Sequence, residues 1–366
     1  MGGYSDILRA LGGSRTESFL RSIEGKTPIF VCTIATTETA KVAGISAAGK
    51  NPEFTDYTPP ADVEYLYYGR CKCIDGVPVT PEGIPTPALI TRAAVHLSDL
   101  PVLVVDGGSR IKPQVPLLDL GGQPGMDIRT GQAVENVNII FERATTLGRN
   151  LAKASDYLVF AESIPGGTTT ALSVMLAMGL DAEGRVSSSM PDNPHKLKLS
   201  IALQAMGAAQ LHKGDLRERP LEAVAKVGDP VQASVAGLAV GAASEVPILL
   251  AGGTQMASIL AIINKIDRSL TDSLAIGTTR WVVRDHQSDL VALVRQVGNI
   301  PVMAADLNFG ASRHSGLRAY ESGVVKEGVG AGGAAISSIM KTNGKITKTA
   351  LQEQIEQEYE RIVDRR

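Results

Sequence analysis

Aromatic side chains are scarce in this 366-residue chain, at 4%, and Trp occurs once. No basic stripe interleaved with rings appears, and the formal net charge is -2. Both features argue against nucleic acid as a partner. Cysteine is scarce too: Cys32, Cys71 and Cys73 are the only three. An odd number at these spacings gives no disulfide framework. Cys71 and Cys73 flank Lys72, but no second Cys/His pair of matching spacing accompanies them, so no metal site is expected. No apolar run reaches the roughly 20 residues that cross a bilayer. Met1–Lys26 carries charges throughout and has no apolar signal core, which points to a cytoplasmic protein without a membrane partner.

Glycine, by contrast, is abundant, at 38 residues in a chain that is 44% hydrophobic. That is enough apolar material for a sizeable core. The length allows one large domain and a smaller one. Many small and aliphatic residues with few rings suit helices packed closely on a parallel sheet. The closing stretch Gln352–Arg366 mixes charge signs and reads as a solvated helix face.

Short apolar runs alternate with helical patterns. Strands are expected at Pro28–Ile34, Pro101–Asp106, Tyr157–Ala161, Val246–Ala251 and Ile300–Ala305, with a weaker one at Ser273–Ile276. Runs this short and apolar suit strands covered on both faces. Helices are expected at 131–154, 169–178, 196–209, 230–242, 254–264 and 288–297. The alternation predicts an α/β fold with a doubly wound, mainly parallel, Rossmann-like sheet. Residues 51–87, 111–131 and 323–333 read as loops rich in Gly and Pro. The expected division is a large α/β nucleotide-binding domain at 27–320, and a small helical subdomain from 1–26 plus 321–366 that completes the active site.

In open α/β sheets, ligands bind beyond the carboxyl ends of the strands. The third expected strand runs into Glu162-Ser163-Ile164-Pro165-Gly166-Gly167-Thr168, followed by a helix. The amides of Gly166, Gly167 and Thr168 would point out of a helix N-terminus, which suits a phosphate. It is not a Walker A loop, since no Lys-Ser/Thr pair follows the glycines. A tight turn capped by Thr is the other reading, and the turn alone leaves both open. Gly252-Gly253-Thr254-Gln255 opens another helix after a strand. Asp306, Asn308, Gly310, Ser312 and His314 cluster after a third strand, and Asp106–Ser109 form another polar turn. Glu327 lies in Lys326–Gly333, where glycines would let a carboxylate approach a substrate. Spacing alone favours a surface turn there. Scattered histidines (His195, His286, His314) read as surface or core residues, with His314 the strongest candidate for substrate contact.

The ordered set of blocks resembles the nicotinate-nucleotide–dimethylbenzimidazole phosphoribosyltransferase family, above all its archaeal and cyanobacterial branch. The resemblance runs from about Gly125 to Ala335. Met126–Ala133 is similar to the segment before the family's long helix. Glu162–Ala171 resembles its Gly-Glu-Met-Gly-Ile-Gly-Asn-Thr-Thr turn. Glu327–Gly332 resembles its Glu-Gly-Ser/Thr-Gly-Ala segment. The family's Asp-His-Gly after the first strand is absent, Ala35–Thr39 standing there instead, and Pro165 and Gly167 alter the turn.

The resemblance implies transfer of the phosphoribosyl group of nicotinate mononucleotide to a heterocyclic base such as dimethylbenzimidazole or adenine. The product would be an α-ribotide for the cobamide lower ligand. Glu327 would be the catalytic base, and Glu162 a second carboxylate that shares this role or orients the ribose. Gly166, Gly167 and Thr168 would hold the phosphate with Lys196, or Lys198 in its place. Gly252, Gly253, Asn308 and Gly310 would line the nucleotide site. No cofactor or metal is implied, because a neutral pyridine leaves and no pyrophosphate needs neutralising. A homodimer is implied. The alternative is a non-catalytic nucleotide-binding or regulatory protein that retains the fold. An NAD(P)-linked oxidoreductase would need G-x-G-x-x-G after the first strand, and Ile34–Thr37 offers none. The acceptor base stays open among adenine, a benzimidazole and a phenolic compound.

Overall fold

The computed structural model describes residues 4–49, 51–80 and 82–363. Residues 1–3 and 364–366 of the expected terminal subdomain, and Pro81 of the expected 51–87 loop, lie outside the described residues. Eight strands form one sheet: β1 (Ile7–Leu11), β2 (Ile29–Ala35), β3 (Val102–Gly108), β4 (Leu118–Asp119), β5 (Leu158–Ser163), β6 (Ile248–Ala251), β7 (Leu274–Thr279) and β8 (Val302–Ala305). Their order is β1-β8-β7-β6-β5-β2-β3-β4. All neighbours are parallel except β1 and β8. The fold is a doubly wound, mainly parallel α/β sheet.

The helices are α1 (Ser14–Ile23), α2 (Thr58–Tyr68), α3 (Ala88–Ser98), α4 (Val137–Ala152), α5 (Gly167–Ala177), α6 (His195–Ala208), α7 (Pro220–Val227), α8 (Pro230–Ala242), α9 (Gln255–Ile266), α10 (Arg280–Val283), α11 (Leu290–Val297), α12 (Ser315–Arg318), α13 (Ala331–Lys341) and α14 (Lys348–Val363). They cover both faces, because side chains alternate along each strand. Val31 and Ala35 of β2, with Leu158 and Phe160 of β5, join the core under α4–α9 and α11. Phe30, Cys32, Val159 and Ala161 join the core under α1–α3, α13 and α14.

Chain order reverses between β2 and β5. From β2 the chain steps outward to β3 and β4. It then returns to β5, on the other side of β2, and proceeds to β6, β7 and β8. Loops leave the ends of β2 and β5 in opposite directions, and a crevice opens between them.

Several expectations change. Residues 51–87 are not all loop: α2 begins at Thr58 and carries Pro59 and Pro60 in its first turn. Proline lacks only an amide that is unpaired at a helix start, so it nucleates rather than breaks a helix there. The helix expected from Gly131 starts at Val137 instead. The amides of Ala133 and Val134 are both taken by the carbonyl of Ala225, at 2.8 and 2.9 Å, which holds that stretch as a loop. The N-terminal segment contributes one helix and an edge strand, β1, paired with β8. Among the described residues, no helix is long and apolar enough to cross a membrane.

Candidate active site

A cleft of about 630 Å³ lies at the carboxyl ends of β5 and β6, beside the crevice where chain order reverses. Its walls come from the loop after β2, from α2 and the stretch after it, from the β5–α5 turn, from Ser187–Ser189 and from the segment before α13.

The β5–α5 turn supplies one wall. Gly166 sits at φ 80° and caps α5. A Cβ there would come within 3.0 Å of the Ala40 backbone, so only glycine fits both the conformation and the space. No side chain caps α5; the amides of Gly167 and Thr169 turn to the carbonyls of Ile164 and Gly166, at 3.3 and 2.9 Å. Lys198 Nζ donates to Thr168 Oγ1 at 3.0 Å and to the carbonyl of Ser187. Lys198 is buried, and burial, with the nearby charge of Lys326, lowers its pKa to about 7. A helix N-terminus with an adjoining lysine suits an anion.

Glu327 lines the same cleft. Its Oε1 accepts from Gly332 N–H at 3.2 Å and Gly328 N–H at 3.3 Å, and its Oε2 accepts from Thr278 Oγ–H at 3.2 Å. The surrounding protein pushes its carboxyl up to about 7, against the pull of those donors. The backbone on either side is strained: Val325 and Val329 both have φ 53°. Left-handed geometry is costly for a β-branched residue and persists only where the surroundings enforce it. Glycines make this approach possible. A Cβ on Gly330 would strike Ala161 and Ala251, and one on Gly332 would strike the Thr278 backbone. The N-terminus of α13 therefore lies directly against β5, β6 and β7.

Glu162 is 4% exposed at the end of β5, and its Oε2 accepts from Ile164 N–H at 3.0 Å. Burial raises its carboxyl to about 8, helped by the negative charges of Asp229, Glu327 and Asp62. Two carboxylates with raised values thus share one cleft.

Sequence-based candidates divide by location. Glu162, Gly166, Gly167, Thr168, Gly253 and Glu327 all line this cleft. Gly252 is turned toward Met256 in α9 instead. Lys196 is exposed and outside the cleft, while Lys198 is buried beside it. Residues two apart on a helix point about 200° apart, so the two lysines cannot face one site. Asn308 and Gly310 are exposed and outside the cleft as well. They follow β8, three strands from β5 and thus roughly 14 Å along the sheet. His314 faces Glu360 at 3.2 Å, and His195 faces the Gln287 carbonyl. Asp106 is consumed by its own turn, accepting from Gly108 and Ser109 amides at 2.8 and 2.7 Å. Among the described residues, no group of three or more His, Cys, Asp or Glu is arranged to hold a metal ion.

No family model matches the chain. Full-length relatives do. A UPF0284 protein of Sulfolobus acidocaldarius is 47% identical over 330 residues, covering 88% of this chain and 94% of the relative. One from Methanopyrus kandleri is 42% identical over 361 residues, covering 98% of this chain and 94% of the relative. The chain belongs to the UPF0284 family.

Among solved structures, this UPF0284 chain is similar to the nicotinate-nucleotide-dimethylbenzimidazole phosphoribosyltransferase of Thermus thermophilus. The TM-score is 0.56 at 17% identity, over 90% of this chain and 89% of that one. A second structure, of CobT from the same organism, gives a TM-score of 0.57 at 17% identity, over 89% and 90%. At that identity the likeness is one of fold.

Sequence reasoning missed several residues of the UPF0284 cleft. Asp62 of α2 is 2% exposed yet lines it, bonded to Ser163 and Thr86. Glu64 of the same helix is buried and accepts from the amides of Cys73 and Gln114, both at 2.8 Å, and from that of Lys72. It thereby shapes the wall that holds Lys72 and Cys73. Both acids lie in a segment read as loop. The available signal was Thr58-Pro59-Pro60 followed by apolar residues at helical spacing. Ser187–Ser189 was also overlooked. Its carbonyls are held by Lys198, Lys326 and the Val325 amide.

Proposed function

We propose that this protein is a phosphoribosyltransferase that moves the phosphoribosyl group of nicotinate mononucleotide to a heterocyclic base, giving an α-ribotide for a cobamide lower ligand. The observation that carries the reading is the meeting of Glu327, Glu162 and the glycine-bearing β5–α5 turn in one cleft. The fold shared with the Thermus enzyme supports it.

In this reading the phosphate rests on the amides of Gly166, Gly167 and Thr168, with Lys198 alongside. A ring nitrogen of the acceptor attacks the ribose C1′. The C1′–N bond to the pyridinium breaks, and its electron pair stays on the ring nitrogen of the departing nicotinate, which becomes neutral. Glu327 takes the proton from the other ring nitrogen of the acceptor. Attack from the face opposite the leaving group converts a β-linkage into an α-linkage. Glu327, at about 7, is ionised in a large share of molecules near neutrality, which suits a general base. Burial and the neighbouring negative charges raise Glu162 to about 8, which favours its protonated form and an O–H offered to the ribose. Holding donor and acceptor in line supplies on the order of 7 kcal/mol.

The test is incubation with nicotinate mononucleotide and a panel of bases, following released nicotinate and the new ribotide. Release dependent on both base and Glu327 is expected. Tight donor binding without release from any base would instead indicate a nucleotide-binding protein without turnover.

A further inference from the structure

Asp62 has no role in the reaction as described, yet it is built into the cleft with care. It lies on α2, is almost wholly buried, and lines the cavity. Its Oδ2 accepts from Ser163 Oγ–H at 2.8 Å, and its Oδ1 accepts from Thr86 Oγ–H at 2.8 Å. Both partners are neutral hydroxyls. A buried carboxylate with so little compensation is costly to keep. Burial raises its carboxyl to about 6 against the pull of those hydroxyls. An ionised carboxylate has about four acceptor positions, so two stay free for a ligand.

Its surroundings indicate which part of a ligand lies there. Thr86 belongs to the segment after α2, whose Val77, Val79, Ile84 and Pro85 give the cleft an apolar wall. A flat heterocycle suits such a wall better than a ribose with its hydroxyls. Glu327 stands nearby: its charge and that of Asp62 both bear on the Tyr320 hydroxyl, which donates to the Pro85 carbonyl at 2.8 Å. Both carboxylates line the cleft that carries this apolar wall.

We propose that Asp62 determines acceptor specificity by accepting a hydrogen bond from a second N–H of the incoming base, an exocyclic amine, while Glu327 takes the ring N–H proton. This rests on the phosphoribosyl-transfer reading of the cleft. It narrows the acceptor to amino-substituted nitrogen heterocycles. Ser163 and Thr86 fix the carboxylate so that only a correctly placed donor reaches it. A base without the amine leaves Asp62 facing a carbon edge, and discrimination follows from that unpaired group.

Adenine and purine differ only in the exocyclic amine and serve as probes. Nicotinate release from nicotinate mononucleotide gives kcat/KM for each base. The wild-type protein should prefer adenine by about 10-fold or more, the range of a hydrogen bond to a charged acceptor. Asp62→Asn should lower that ratio, and Asp62→Ala should bring it within about 3-fold of one. A wild-type ratio near one, or a ratio that neither variant changes, overturns the proposal. The wild-type comparison decides even where a variant does not fold. If no base releases nicotinate, the transfer reading itself fails. Equilibrium dialysis of the two bases then applies the same ratio test to Asp62.

Discussion

The amide of Val329 donates to the carbonyl of Glu162 at 3.0 Å. This bond ties the glycine-rich segment carrying Glu327 to the end of the strand carrying the second carboxylate. Residues 167 positions apart in sequence thereby meet in the lining of one cleft. Both carboxyls are pushed above the usual range, to about 8 for Glu162 and about 7 for Glu327.

Glu327→Gln removes the base while keeping a side chain of the same shape. We expect the transfer rate to fall by roughly 10²–10⁴-fold and the affinity for nicotinate mononucleotide to change little. Steady-state release of nicotinate and calorimetric titration of the donor measure the two quantities. Equal losses in both would argue that Glu327 holds structure rather than moves a proton.

The transfer rate should rise with pH through about 7, because Glu327 works as the ionised form, and fall above about 8, as Glu162 loses the proton it offers to the ribose. Stability should move the other way. Glu162, Glu327, Asp62 and Asp229 all have raised carboxyls in the fold, at about 8, 7, 6 and 6. Between the ordinary carboxylate range and these values, the folded chain binds more protons than the unfolded one. Their contribution is therefore complete below about 4 and is lost as pH rises through 6 to 8. Tm should fall over that window, and Glu162→Gln should flatten the fall. A Tm that climbs from pH 5 to 8, unaltered by the substitution, would contradict this.

Lys198→Met should weaken donor binding by about 10-fold or more, the range for losing a hydrogen bond to a charged group. Lys196→Ala, on the exposed face of α6, should stay within about 2-fold of wild type. Competition by inorganic phosphate against the donor separates the two lysines. A larger effect at Lys196 would mean that α6 is rotated relative to the cleft.

Gly332→Ala should lower stability by about 1–3 kcal/mol and lower activity with it. The new methyl would strike the Thr278 backbone, and Gly332 N–H holds Glu327 Oε1. Gly207→Ala is the control: nothing lies within 4 Å of a Cβ there. It sits in the last turn of α6, where Ala gains about 0.5–1 kcal/mol over Gly. Denaturant unfolding of both variants checks the pair of signs.

The six central strands were legible because each is a short apolar run with turns at both ends, the mark of a strand buried on both faces. Strands β1 and β4 were not. β1 is an edge strand with a register shift between Arg9 and Leu11, and β4 is two residues long. Neither carries a pattern strong enough to read. Helix α2 was hidden by prolines taken as breakers, and Asp62 and Glu64 were lost with it. Among the lysines, sequence offered Lys196 and Lys198 as alternatives. Only the rotation of α6 against α5 separates them.

Local pattern alone determined the alternation of elements, the doubly wound class and the glycine turns that can open toward a ligand. Each of these depends on neighbours within a few residues. The convergence of Glu162, Glu327, Asp62 and Lys198 depended on strand order and on how tightly α13 presses against the sheet. Sequence spacing carries no information about either, because both are set by which apolar faces bury one another across the whole molecule.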